Sequence, residues 1–506
     1  MRVIPRSRVK NVSAYQDLKQ HFYTIGTLAE IDALLSWDME AMMPVGGQEA
    51  RAEQMALMDT HIHSLTRDAR VGDWLQRAAE ESLGSQDRAN LQLMQRRWIH
   101  ANAVSDELVT AFSKARSKCS MVWRASRKEN DFARVEPYLS DLMELVREQA
   151  EARADALDCE PYDALLDQYD PDATEESISE LFDEIADFLP SLTEEIIEVQ
   201  GHQEPPLPLN ERIETSLQKE AAQRVMKLLG FDFERGRLDE SIHPFCGGIP
   251  DDVRITTNYD ESDVFFGLLG VIHETGHALY EQGLPIRWRR LPCGGARSMT
   301  LHESQSLLYE MQLACSAPFL RSLTPILHES FAVDGPEWSA ENLHTLATRV
   351  KPGLIRIRAD EVTYPAHIVL RFRLERALMS GDLRVRDLPE AWREGMRELL
   401  GVVPDTDTDG VMQDIHWYEG LVGYFPTYTL GALGAAQLFE AASADATVKE
   451  GLEAGDYMPL NRWLKSHVYQ HGAMLNGVSM IKEATGKKLG VDAFRRHVER
   501  RYLGAP

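Results

Sequence analysis

His273-Glu274-Thr275-Gly276-His277 is an H-E-x-x-H motif. Two imidazoles four residues apart on a helix lie on one face, a turn apart, so both can reach a single ion. Glu274 sits about 100° round the helix from His273, where its carboxylate can face a metal-activated water without ligating the metal. The third ligand is expected on a separate, downstream helix. Leu301-His302-Glu303-Ser304-Gln305-Ser306 opens one, and Leu307, Leu308 and Met311 continue its apolar face. Glu303 completes a two-His, one-Glu set, the donor chemistry of a catalytic zinc with one position left open. Cobalt(II) or another divalent ion fits the same donors. His302 is the rival within the motif; it points about 100° away and suits a role beside the ligands or toward substrate. H-E-x-x-H arises by chance in a chain of this size on the order of a few per cent of the time. The adjoining H-E-S segment and a helical context are therefore what carry the reading toward metal-assisted amide hydrolysis.

Such a motif needs a helix to hold it, and the surrounding residues provide one. Asp260, Ser262 and Asp263 offer a cap and first-turn acids, while Val264, Leu268, Ile272 and Leu279 form a buried stripe. Gly283 is a reasonable stop. Gly267, Gly270 and Gly276 each cost helix propensity, so close packing is expected at all three. Elsewhere residues 140–154, 176–189 and 388–400 place apolar side chains at three- and four-residue spacing. Alternating β-branched runs are scarce, and 253–259 is the one plausible strand, the edge of a small ribbon beside a groove. The expected fold is all-α: one large helical catalytic domain, 1–506, with at most a small β ribbon near the active site. The proline-rich stretch 201–210 reads as a loop between an N-terminal helical cover, roughly 1–200, and a metal-binding half, roughly 211–506.

Charge narrows the partners. Lys plus Arg is 54 against 80 for Asp plus Glu, a formal net charge of −26. Phosphates would be repelled over most of such a surface, which argues against nucleic acid and anionic membranes. The longest nearly apolar run, 264–272, falls far short of the ~20 residues that span a bilayer. Arg2, Arg6, Arg8 and Lys10 are followed by no apolar stretch, so no secretory signal is expected. The five cysteines, Cys119, Cys159, Cys246, Cys293 and Cys315, are odd in number and form no C-x-x-C pair. A reducing compartment, the cytoplasm, follows as the expected location.

Taken together, the motifs resemble the carboxypeptidase Taq family of thermostable metallocarboxypeptidases. The matching stretches are His243-Pro244-Phe245, Asp252 to Thr257, His273 to His277, His302 to Gln305, Ile355-Arg356 with Ala359-Asp360, and Gly410 to Trp417. Gly423 to Tyr428, Leu35-Ser36-Trp37-Asp38 and Met43-Pro44 extend the likeness over nearly the whole chain. Asn258 and Arg358 depart from the pattern, standing where Arg and an acidic residue are usual. The resemblance implies a helical fold around a deep groove, a homodimer, and removal of single residues from peptide C-termini.

A carboxypeptidase must bind a free carboxylate, and the planar fork of arginine suits it. Arg254 and Arg356 lie in the matched motifs and are the candidates, against the alternative that each pairs with a neighbouring acid such as Asp360. Donors for the developing oxyanion are sought in His416 and Tyr424, with His243 behind them, Tyr428 as the alternative, and Asp414 placed to orient His416. Two other readings stand beside this one: an oligoendopeptidase or dipeptidyl carboxypeptidase on a similar scaffold, and a non-catalytic peptide-binding protein. Glu274 argues against the last.

Overall fold

Helical periodicity runs the length of the chain, and in the computed structural model it becomes twenty α-helices and a single three-stranded sheet among the described residues, 13–505. The basic run at Arg2, Arg6, Arg8 and Lys10 lies outside them. The expected helical segments fall within Phe132–Leu157, Glu175–Gly201 and Leu388–Leu400. Glu175–Gly201 starts with a reciprocal cap between Thr174 and Ser177 and ends where the proline-rich loop begins. Among the described residues no helix is long and apolar enough to cross a membrane.

Most helices share one extended apolar core, which runs from Cys119 to Tyr502. A smaller core of Tyr15, Leu18, Phe22, Val71, Leu75 and Met94 joins the first helices of the chain. Beyond Ile25, the helix Ala14–Ala41 continues with Trp37 as its one buried residue, and Gln48–Thr66 beside it buries none. This hairpin meets the loop before the Glu303 helix through a Glu30–Arg290 pair at 2.8 Å and the sheet through the Trp37 indole. The guanidinium carbons of Arg254 and Arg237 lie 4.0 and 5.0 Å from its ring centroid.

Those arginines come from the sheet. Strand β1 (Gly236–Glu240) runs parallel to β3 (Asp252–Thr257), and β2 (Cys246–Ile249) lies antiparallel on the other side of β3. Arg237 is registered opposite Arg254, so both point to the Trp37 face, while Val253 and Ile255 are buried in the core on the other. Sequence periodicity anticipated only β3. Strand β1 carries no β-branched residue and β2 is half glycine, so neither has the local signal of a strand.

The H-E-x-x-H helix spans Val264–Gly283. Its N-cap position is Asp263, yet the Asp263 carboxylate pairs with Arg358 at 3.2 Å instead of capping, and Asp260 takes the Ser262 N–H and hydroxyl. Close packing holds at only one of the three glycines. A Cβ at Gly276 would lie 2.5 Å from the Gln305 carbonyl oxygen, whereas Gly270 faces open space and Gly267 meets only the Asn258 carbonyl at 4.0 Å. Gly276 thus lets this helix touch Met299–Leu307, the helix that carries Glu303. That second helix does not stop as an α-helix. It widens into a π-helical segment, Leu308–Ala314.

Candidate metal centre

His273, His277 and Glu303 come together with one ligand atom each, all within 4.8 Å of one another. Glu303 Oε2 is 3.9 Å from His273 Nε2 and 3.4 Å from His277 Nε2. The i, i+4 spacing sets the two imidazoles edge to face with centroids 5.0 Å apart, and the contact at Gly276 brings the neighbouring helix near enough for Glu303 to reach them. The Glu303 side chain is held from behind by the helix Pro426–Ser443, where a Cβ at Gly431 would collide with its Cβ and Cγ at 2.8 and 2.7 Å. Burial works against charge on Glu303, but the two histidines outweigh it and keep its carboxyl below the ordinary carboxylate range.

The far nitrogens of both histidines are engaged. His273 Nδ1 is 2.7 Å from Glu310 Oε2. An ionised carboxylate only accepts, so His273 donates through Nδ1 and turns Nε2 toward Glu303. His277 Nδ1 is 2.6 Å from His302 Nδ1, and His302 Nε2 is 2.8 Å from Glu281 Oε1. The same logic runs inward from Glu281: His302 donates through Nε2 and accepts at Nδ1, so His277 donates through Nδ1 and frees Nε2. Burial disfavours charge on His273, yet Glu303 and Glu310 overcome it and hold its imidazole up at about 10. Burial, reinforced by His302, pushes His277 down to about 4. Two nitrogens and a carboxylate oxygen, with both tautomers set by their neighbours, fit a borderline divalent ion such as zinc. His302 is thus placed beyond His277 and outside the three-atom cluster.

Glu274, 8% exposed, is packed against this cluster, and its Oε2 has no hydrogen-bond partner. Burial, with Glu303 and Glu310 adding to it, raises its carboxyl to about 7. A buried, unpartnered carboxylate next to a set of ligand atoms is what a proton acceptor requires.

Arg356 donates Nε and Nη2 to Asp414 Oδ1, at 3.1 and 2.8 Å, while fully buried Arg371 holds Oδ2 of the same carboxylate. Asp414 is thus committed to two arginines rather than to His416, and Asp360 accepts backbone N–H groups of its own loop rather than Arg356. The Arg356 guanidinium lies over the Tyr428 ring at 4.7 Å. Tyr364, Tyr424 and Tyr428 gather round it. The Tyr364 hydroxyl is pushed up by burial and then by the charge of Glu303, with Arg356 opposing. Burial raises Tyr424 to about 12; Glu303 and Glu274 add to that, and Tyr169 packs on it edge-on at 5.1 Å. His416 Nε2 is 3.2 Å from the Tyr428 hydroxyl, and burial lowers its imidazole to about 3. Arg254 pairs with Asp252 at 2.7 Å and stacks on Trp37. His243 sits exposed in the loop before β2, and its ring joins none of these bonds.

Sequence reasoning passed over Glu281, Glu310, Tyr364 and Arg371. Glu281 was within reach of it, lying four residues beyond His277 on the same helical face. Glu310 was not, because its position depends on the π segment.

The family model for carboxypeptidase Taq (M32) metallopeptidases matches residues 17–502. The chain is 37% identical to thermostable carboxypeptidase 1 of Thermus thermophilus over 503 residues, covering 97% of this chain and 98% of that protein. To carboxypeptidase 1 of Bacillus subtilis it is 31% identical over 482 residues, covering 94% and 96%. Among solved structures it is similar to Trypanosoma cruzi metallocarboxypeptidase 1, with a TM-score of 0.94, 38% identity and coverage of 97% and 99%. The M32 carboxypeptidase from Deinococcus radiodurans R1 gives a TM-score of 0.91 at 32% identity, with the same coverage.

Proposed function

This chain belongs to the carboxypeptidase Taq (M32) family of metallopeptidases, and from that premise we propose how its own residues shorten a peptide from the free C-terminus. It is a metallocarboxypeptidase that removes single C-terminal amino acids. His273, His277 and Glu303 hold the metal, which we assign as zinc. A zinc ion there supplies Lewis-acid polarisation of the scissile carbonyl and acidifies a water. Glu274 takes the proton of the attacking water and passes it to the departing amine. Tyr424, close to both Glu303 and Glu274, donates to the oxygen that gains charge as the carbonyl carbon becomes tetrahedral; His416 supports it through Tyr428.

Arg356 is assigned the terminal carboxylate, because it lies buried in the matched Ile355-Arg356 motif with its guanidinium over Tyr428. Arg254, engaged with Asp252 and Trp37, is the second candidate. We assign His243, exposed in the loop before β2, to substrate binding, and residues roughly 1–200 to a cover over the metal-binding half. A cytoplasmic homodimer is the setting we assign, supported by five free cysteines and by the family resemblance.

The observation that carries the mechanism is the unpartnered, buried Glu274 carboxylate beside three converging ligand atoms. The test is mass spectrometry of one defined peptide digested with and without a chelator. A ladder losing one residue at a time from the C-terminus, stopped by the chelator, is expected. Residues lost in pairs would indicate a dipeptidyl carboxypeptidase, and internal fragments appearing first an oligoendopeptidase.

A further inference from the structure

The π-helical segment Leu308–Ala314 ends a helix whose neighbour is the metal cluster, and its carbonyls must be satisfied somewhere. The partners of four of them, Glu310 to Leu313, can be traced. The Glu310 carbonyl accepts the Cys315 thiol at 3.5 Å, and the Leu313 carbonyl accepts the Ser316 N–H at 2.9 Å. The two between them go to one side chain nearly two hundred residues away in sequence. Arg501 Nη1 donates to the Met311 carbonyl at 2.5 Å, and Nη2 to the Gln312 carbonyl at 2.7 Å.

Arg501 belongs to the last helix of the chain, Asp492–Leu503, and is itself held firmly. Its Nη1 also meets Glu361 Oε1 at 2.7 Å, and Glu361 accepts in addition from Tyr502 at 2.8 Å and pairs with His497 at 3.0 Å. Arg501 and Glu361 side chains are 10% and 4% exposed. Planar guanidinium geometry is what allows one side chain to span two consecutive carbonyls; a lysine ammonium is a single point.

We infer that Arg501 is a positioning residue for the metal site. It locks the end of the π segment, the π segment places Glu310, and Glu310 fixes the tautomer and ring orientation of His273. π-Helical turns within α-helices are costly and recur where a side chain must be set at a position that α geometry would not give it. The inference rests on His273 being a metal ligand, as proposed above.

The test measures zinc affinity of the purified full chain by competition with a chromophoric chelator, and the visible spectrum of the cobalt(II)-loaded protein. Arg501→Ala is expected to weaken zinc binding by roughly 3- to 10-fold, less than the 10- to 100-fold typical of removing a ligand's direct partner, and to perturb the cobalt spectrum. Arg501→Lys should fall in between. His497→Ala is the control, since it loosens the same helix through the same Glu361 but leaves both carbonyls capped; it should bind zinc like the wild type. Arg501→Ala with wild-type zinc affinity and cobalt spectrum would overturn the inference. So would equal weakening in His497→Ala, which would make the effect one of general loosening. If Arg501→Ala does not fold, Arg501→Lys against His497→Ala decides alone. If His273→Ala binds zinc as tightly as the wild type, the fault lies with the ligand assignment instead.

Discussion

His302 Nδ1 stands 2.6 Å from His277 Nδ1, and with Glu281 on its far nitrogen His302 must be the acceptor of that pair. The chain Glu281–His302–His277 thus sets the lone pair that His277 offers at the cluster. His302→Ala is expected to weaken zinc binding by about 10- to 100-fold while leaving a loadable site. Glu303→Ala should abolish tight binding. Elemental analysis after dialysis, with chelator competition, separates the two. Full occupancy in Glu303→Ala together with none in His302→Ala would exchange their roles.

Glu274→Gln keeps the shape and removes the proton acceptor. Zinc content and thermal stability should stay at wild-type levels, or stability should rise slightly because a buried carboxylate is gone. The kcat should fall by about 10²- to 10⁴-fold, the usual share of general acid–base catalysis. Turnover near the wild-type rate would remove Glu274 from the mechanism.

How far the site was legible depended on whether its information was local. His273, Glu274 and His277 lie within five residues of one helix, so their spacing named them, and the H-E-S segment on the next helix offered Glu303 with His302 as its rival. The helical class was equally readable, because apolar positions three and four apart recur through Leu388–Leu400 and its like. What escaped depends on distant partners. Strand β1 is a strand because Val253 pairs opposite Gly236, not because of its own residues. Arg356 finds Asp414, fifty-eight positions away, rather than nearby Asp360. Glu310 reaches His273 only because the helix widens after Leu307, and the groups that hold that widening come from residues 361 and 501. Gly270 shows the opposite error: a helical glycine read as packing that instead faces open space.

Glu361 ties the last helix to the segment that carries Arg356, and its titration should be visible in stability. Burial works against its charge, but Arg501 and His497 outweigh that and hold the carboxyl down at about 2, against an ordinary value of 4.5. A depressed folded-state pKa stabilises above the unfolded value and is lost as pH falls through the folded one. The contribution is on the order of 3 kcal/mol, taking about 1.4 kcal/mol per pKa unit. It should be intact at pH 6 and shrink steadily between about pH 4.5 and pH 2. Thermal melts of the wild type and Glu361→Gln should therefore lie well apart at pH 6 and draw together toward pH 3. A separation that does not change with pH would mean that Glu361 acts through packing alone.

The exopeptidase reading depends on how a terminal carboxylate is held, and the arginines make different predictions. Arg356 already gives Nε and Nη2 to Asp414, which leaves Nη1 outside that pair, with the guanidinium over the Tyr428 ring. A substrate carboxylate bound there receives a charge-assisted contact in a site from which water is largely excluded. Amidating the peptide removes the charge and one acceptor oxygen, and losing such a contact costs roughly 2–5 kcal/mol. The amide should therefore be cut about 30-fold or more slowly than its free-acid twin, as kcat/KM. Arg356→Ala should lose activity on the acid and most of the discrimination, with zinc content unchanged; Asp414 keeps Arg371, so it is not left as an unpaired buried charge. Arg254→Ala should keep the discrimination, because Arg356 is the arginine assigned to the terminus. If Arg254→Ala instead erases the difference and Arg356→Ala preserves it, the carboxylate is bound at the sheet. If the wild type cuts amide and acid equally fast, neither arginine reads the terminus and the enzyme does not select for a free C-terminus at all.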